Sequence, residues 1–243
     1  MTMKGVLQNL IAKVDASKLT AVPSPTVENE VAANDDGGQT ITQAWLWPRI
    51  GQYLKEEDIV VTETGTANFG IWEAKFPASV TALNQNLWGS IGWAVGACQG
   101  AALAARDAGA DRRTVLFEGD GSFQLTAQEV STMVRLGLRV TLFCICNEGY
   151  TIERFIHGAD AAYNDIAAWR YRDVPAVFGA VPGEQVSTFA VRTKAELDAL
   201  LSDRAFQEAR HLQFVELHVP KMDAPKPLVF VTDAAVRNNA RAQ

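Results

Sequence analysis

Apolar and polar positions along this chain fall into blocks that switch between two periods. Five short runs rich in Val, Leu, Ile and Phe read as strands: Asp58 to Glu63, Arg113 to Phe117, Arg139 to Cys146, Val186 to Val191 and Leu212 to Val219. Between them lie segments with helical spacing: Ala44 to Leu54, a small-residue run from Gly89 to Ala105, Ala127 to Leu136, and Lys194 to Leu201. Nearly continuous apolar strands alternating with helices predict an α/β fold, a parallel sheet with helices on both faces. Ligands of such sheets sit outside the carboxyl ends of the strands.

The N-terminal stretch differs. Val6, Leu7, Leu10, Ile11 and Val14 share one face of a short predicted helix. Residues from about Lys18 to Thr40 are rich in Pro, Asn, Asp and Gly without sustained periodicity, as in a linker. The expected division is a helix and linker over 1–41 and a single domain with a C-terminal tail over 42–243. No signal-peptide pattern and no span-length apolar stretch is present, which predicts a cytoplasmic protein without a membrane anchor.

Composition narrows the classes further. A chain of 243 residues can bury a sizeable core. Its formal charge of −6, with no run of Lys or Arg, argues against a nucleic-acid partner. Of the cysteines, Cys144 and Cys146 alternate within VTLFCIC and share a strand face, and Cys98 lies elsewhere. This reads as core thiols in a reducing compartment rather than a disulfide framework. His157, His211 and His218 form neither a metal pair nor a triad.

The candidate chemistry lies past the ends of two strands. Gly119-Asp120-Gly121-Ser122 follows one, and Asn147-Glu148-Gly149 follows the next. Each motif alone is also ordinary turn chemistry, and Ser122 could serve as a helix N-cap. Together they place a carboxylate and an amide oxygen at one sheet edge. Such hard ligands suit Mg²⁺, which keeps phosphate oxygens and water in its remaining positions. Gly119 and Gly121 would let backbone N–H groups approach those phosphates.

With its flanks, GDGSFQLTAQEVSTMVRLGL, then NEGYTIERFIHG and YNDIAAW, the chain resembles the thiamine diphosphate-dependent 2-oxo acid decarboxylases, which include pyruvate, indolepyruvate and phenylpyruvate decarboxylases. The likeness runs from Trp45 to about Pro227. It implies a thiamine diphosphate-binding domain with Mg²⁺ held by Asp120, Asn147 and the carbonyl of Gly149. It implies further that Thr66 and Ser122 contact the diphosphate, and that Gly89 meets the aminopyrimidine ring. Ile91 would hold the two cofactor rings bent, which pre-organises the reacting groups. Tyr150 and Ile152 fall in the same stretch, Ile152 toward the substrate pocket. Glu153 matches the glutamate that handles protons beside a 2-oxo acid substrate, a role requiring burial near that anion. Its plain alternative is a solvent-facing glutamate in a first helical turn. The resemblance also implies an N-terminal pyrimidine-binding domain or subunit carrying the cofactor-activating glutamate, and a homo-oligomer when complete. Without that part, no useful activity is expected.

Overall fold

The computed structural model describes residues 2–20, 31 and 34–241. Most of the expected linker, residues 21–30 with 32 and 33, lies outside the described residues. The N-terminal helix forms over Met3–Lys13, capped by Thr2, and none of its residues is buried.

Six strands make the sheet: β1 Ile59–Thr62, β2 Thr81–Leu83, β3 Thr114–Gly119, β4 Val140–Cys146, β5 Val186–Val191 and β6 Leu212–His218. Their order is β2-β1-β3-β4-β6-β5, and every neighbouring pair is parallel. Chain direction across the sheet reverses between β1 and β3, so their carboxyl ends flank a crevice.

Strand alternation feeds two cores. Ile59, Val61, Leu116, Leu142, Cys144 and Phe214 pack under the helices Trp93–Asp107, Asp120–Thr126 and Glu129–Arg135. Val60, Val115, Phe117, Phe143, Ile145 and Val215 pack under the helices Gln43–Tyr53 and Lys194–Ser202. The expected three-layer α/β architecture is therefore present. Cys144 and Cys146 do share a face, their sulfurs 4.0 Å apart in the core.

Local differences have local causes. The small-residue helix begins at Trp93 rather than Gly89, because Gly92 turns into the left-handed region (φ 84°). The helix expected over Ala127 to Leu136 forms over Glu129–Arg135, and a separate helix that was not expected, Asp120–Thr126, precedes it. Ser122 is thus the third residue of a helix, and the N-cap is Gly119. The segment expected as a tail forms the helix Lys226–Arg241. Among the described residues no helix is long and apolar enough to cross a membrane.

Candidate functional site

Three strand ends and one loop converge at the carboxyl edge. β1 delivers Glu63 to Thr66, β3 delivers Gly119 to Ser122, and β4 delivers Asn147 to Tyr150; the loop after β2 adds Gly89 and Ile91. They enclose a cleft of about 720 Å³, within the size range of cofactor pockets. Thr66, Gly89, Ile91, Gly119, Gly121, Ser122, Asn147, Gly149, Tyr150, Ile152 and Glu153 all line it. Asp120 lies beneath the wall and lines a neighbouring cavity of about 830 Å³.

Asp120 is buried and accepts backbone hydrogen bonds from Gly121 (2.8 Å), Asn147 (3.1 Å), Glu148 (2.8 Å) and Gly149 (3.3 Å). One carboxylate thereby ties the end of β3 to the loop after β4. The Asn147 amide nitrogen donates to Thr151 Oγ1 (2.8 Å), whose hydroxyl donates to the Lys221 carbonyl (3.0 Å). In that orientation Asn147 Oδ1 faces two acceptors, the Gly149 carbonyl at 3.0 Å and Asp120 Oδ1 at 3.1 Å. Turning the amide over would pair it with both, but Thr151 would then donate to Asn147 and leave the Lys221 carbonyl without its donor. Three oxygens with no proton among them are what a hard cation satisfies. Neighbouring ligands on Mg²⁺, at about 2.0–2.1 Å from the ion, lie roughly 3 Å apart. The spacing fits.

Gly149 cannot carry a side chain here. Its φ is 120°, and a Cβ would lie 2.2 Å from the Asn164 carbonyl oxygen. At Gly121 a Cβ would meet the Tyr150 ring at 2.6 Å, so this glycine serves packing at the cleft wall as well as backbone approach.

Ser122 accepts from the Gly92 N–H (2.8 Å), and Thr126 donates to the Gly92 carbonyl (2.7 Å). The helix that follows the Asp120 motif thus grips the turn carrying Ile91. The Ser122 hydroxyl is therefore engaged with Gly92, and it also lies within reach of the buried Glu118. Ile91 is 41% exposed, so a large part of its apolar surface is left uncovered by the described residues. Thr66 is buried and opens the helix Thr66–Gly70. Glu153 is the third residue of the helix Thr151–His157 and faces the cleft mouth with a side chain 48% exposed, 3.4 Å from His157 Nε2. The burial that its proton-handling role requires is not supplied by the described residues.

Sequence reasoning passed over several residues at the site. Glu63 lies buried behind the β1 loop, accepting from the N–H groups of Gly65 and Ala67. Burial pushes its carboxyl up to about 7, against the pull of those donors. Glu118, also buried, is pushed well above the carboxylate range by burial and by the nearby Glu63. His157 and Tyr163 line the cleft, and Arg154 and Asn164 are buried beside the loop after β4. An unpaired acid directly before Gly-Asp-Gly was the available signal for Glu118; Arg154 gave none. Among the described residues no group of three or more His, Cys, Asp or Glu could hold a metal.

Asp120 supplies a pH prediction. Burial raises its carboxyl to about 6 despite the backbone donors. If Asp120 ligates a cation, as the resemblance implies, that cation has to displace the proton held below that pH. Apparent Mg²⁺ affinity should be flat above about pH 7 and fall by about tenfold per unit as pH drops well below 6, read by isothermal titration. The sign for stability is opposite. A carboxyl raised above its unfolded value of about 3.9 favours the metal-free fold at low pH, and that contribution is lost as pH rises through about 6. Metal affinity unchanged down to pH 5 would remove Asp120 from the ligand set.

Comparison with known proteins bears on this geometry. Residues 63–216 match the family described as thiamine pyrophosphate enzyme, C-terminal TPP binding domain. The pyruvate decarboxylase of Aspergillus fumigatus is 53% identical over 241 residues, covering 98% of this chain and 42% of its own length. That of Aspergillus terreus is 52% identical over 242 residues, covering 99% and 42%. This chain therefore spans less than half the length of these relatives. Among solved structures, the thiamine diphosphate-dependent 4-hydroxybenzoylformate decarboxylase of Rhodococcus jostii superposes with a TM-score of 0.69 at 17% identity, over 89% of this chain and 39% of the other. At that identity the likeness is one of fold.

Proposed function

Because the chain belongs to the thiamine pyrophosphate enzymes, through their C-terminal cofactor-binding domain, we propose that it is the metal- and diphosphate-holding part of a non-oxidative 2-oxo acid decarboxylase that converts pyruvate to acetaldehyde and CO₂. The observation that carries this reading is the trio of facing oxygens on Asp120, Asn147 and Gly149 beside a cleft wall lined by the nine other expected contacts. The identity to fungal pyruvate decarboxylases supports the choice of substrate.

In this reading Asp120, Asn147 Oδ1 and the Gly149 carbonyl hold Mg²⁺. The backbone at Gly119 and Gly121, the Ser122 N–H and Thr66 face the diphosphate. Gly89 would meet the aminopyrimidine, and Ile91 would give the cofactor an apolar contact from the cleft wall. When bound, the cofactor supplies the nucleophilic carbon and the electron sink for loss of CO₂. Tyr150 and Ile152 line the substrate side, and Glu153 gives or takes a proton at the reacting carbon. Glu153 gains its burial from the substrate and from the N-terminal pyrimidine-binding part, supplied in the same longer chain or by a second subunit of a homo-oligomer. The compartment is the cytoplasm.

The test is turnover by the complete protein with thiamine diphosphate and Mg²⁺, offered pyruvate, indolepyruvate and phenylpyruvate in parallel. Pyruvate should give acetaldehyde with the highest kcat/KM. Glu153→Gln should lower kcat by about 10²–10⁴, the usual worth of a positioned acid or base, while cofactor affinity stays within a few-fold. Full turnover by this variant, or a preference for an aryl substrate, would overturn the respective half of the reading.

A further inference from the structure

Arg154 follows Glu153 but points the opposite way. Its side chain is 1% exposed, and it is among the largest fully buried side chains of the molecule. Nη1 donates to the Ala159 carbonyl (2.9 Å). Nη2 is shared among the Glu148 carbonyl (3.1 Å), the Asn164 carbonyl (3.0 Å) and Asp165 Oδ1 (2.6 Å). The Asn164 carbonyl also accepts from the Tyr150 N–H (3.2 Å). One guanidinium therefore joins the loop after β4 to residues 159–165.

That loop is held in an unusual backbone state. Glu148 has φ 63° and Gly149 φ 120°, two successive left-handed residues of which one is not glycine. Such conformations persist where the surroundings over-determine them. From the side chains, Asp120 fixes the N–H groups of Glu148 and Gly149, and Arg154 fixes the Glu148 carbonyl. With the Glu148 peptide held at both ends, the next carbonyl, that of Gly149, is aimed at Asn147 Oδ1 across 3.0 Å.

We infer that Arg154 is a positioning residue for the metal: it holds the backbone turn that presents the Gly149 carbonyl as a ligand, without touching the ion. This rests on the Mg²⁺ reading above. Outer partners that orient metal ligands are worth about 10–100-fold in affinity. A lysine keeps the charge but cannot fork across several carbonyls, so its effect reports geometry rather than charge.

The experiment titrates Mn²⁺ into the metal-free complete protein and follows the loss of the free-ion electron paramagnetic resonance signal, in wild type, R154K, R154M and D120A. Melting of the metal-free forms is followed in parallel. The expected result is a Mn²⁺ dissociation constant raised by about 10–100-fold in R154K and at least as much in R154M. Cofactor affinity should recover at saturating Mn²⁺. An unchanged dissociation constant in R154K, with or without a lower melting temperature, would make Arg154 a packing residue only and overturn the inference. If D120A binds Mn²⁺ as wild type does, the metal reading itself fails, and Arg154 falls with it for that separate reason. R154K covers the case in which R154M does not fold.

Discussion

If Asp120 ligates Mg²⁺ as proposed, replacing it should abolish the Mg²⁺ dependence of thiamine diphosphate binding in the complete protein. The carboxylate is the only full negative charge in the facing trio, and it is also the acceptor for four backbone N–H groups. Two variants separate these roles. In Asp120→Ala all four donors lose their partner, at about 1–3 kcal/mol for each that stays buried, so loop order and metal are lost together. Asp120→Asn keeps one oxygen and one pair of donors but removes the charge. Its Mg²⁺ affinity should fall by more than about 100-fold, beyond what loss of a ligand's hydrogen-bond partner costs, with a smaller loss of thermal stability than in the alanine variant. Calorimetric titration of thiamine diphosphate with and without Mg²⁺ reads the first effect, and melting reads the second. Intact Mg²⁺ dependence in Asp120→Asn would sink the ligand assignment.

Gly149→Ala is the second large effect, and it works through shape. The new methyl group would sit 2.2 Å from the Asn164 carbonyl oxygen in a backbone at φ 120°. Left-handed strain costs about 1–3 kcal/mol, and forced overpacking a similar amount. The carbonyl that must move is the one bonded by Tyr150 N–H and Arg154 Nη2. Hydrogen-exchange protection across 147–165 should therefore drop by at least about 30-fold, with metal affinity falling alongside. Gly96→Ala is the control: a Cβ there meets nothing within 4 Å, and its helix continues on both sides. Equal protection in the two variants would show that the turn at Gly149 is not constrained as described.

The centre of the sheet was legible because β1, β3, β4 and β6 are buried on both faces. Those four present apolar runs, the edge strand β5 is marked by Val186, Phe189 and Val191 alone, and all five fall within two residues of the expected bounds. β2 was not legible: Thr81–Leu83 is a three-residue edge strand, half-exposed, paired only with β1. The helix Lys226–Arg241 follows a Pro-rich stretch and keeps Phe230, Val231 and Val236 exposed, so its sequence reads as a tail. At the site, the meeting of Asp120, Asn147 and the surrounding glycines at one sheet edge was legible, because each motif directly follows a strand of a parallel sheet. Glu63, Arg154 and Asn164 were not. Their importance lies in which backbone groups they face, and contacts such as Arg154 with Glu148, Asn164 and Asp165 follow from loop geometry rather than residue type.

The wholly parallel sheet bears on the order in which the molecule assembles. No strand pair here can close as a hairpin, because each parallel neighbour is reached only through a crossover. Native contacts are therefore widely separated in sequence, a topology that folds slowly. The cleft draws on segments from Glu63 to Asn164, and β1, β3 and β4 must be in register before Asp120 meets the loop beyond β4. A nascent chain thus has no partial version of the site to offer. On the proposed reading, competence to capture a cation would arrive with the last of these pairings, and metal uptake would be a late reporter of correct folding.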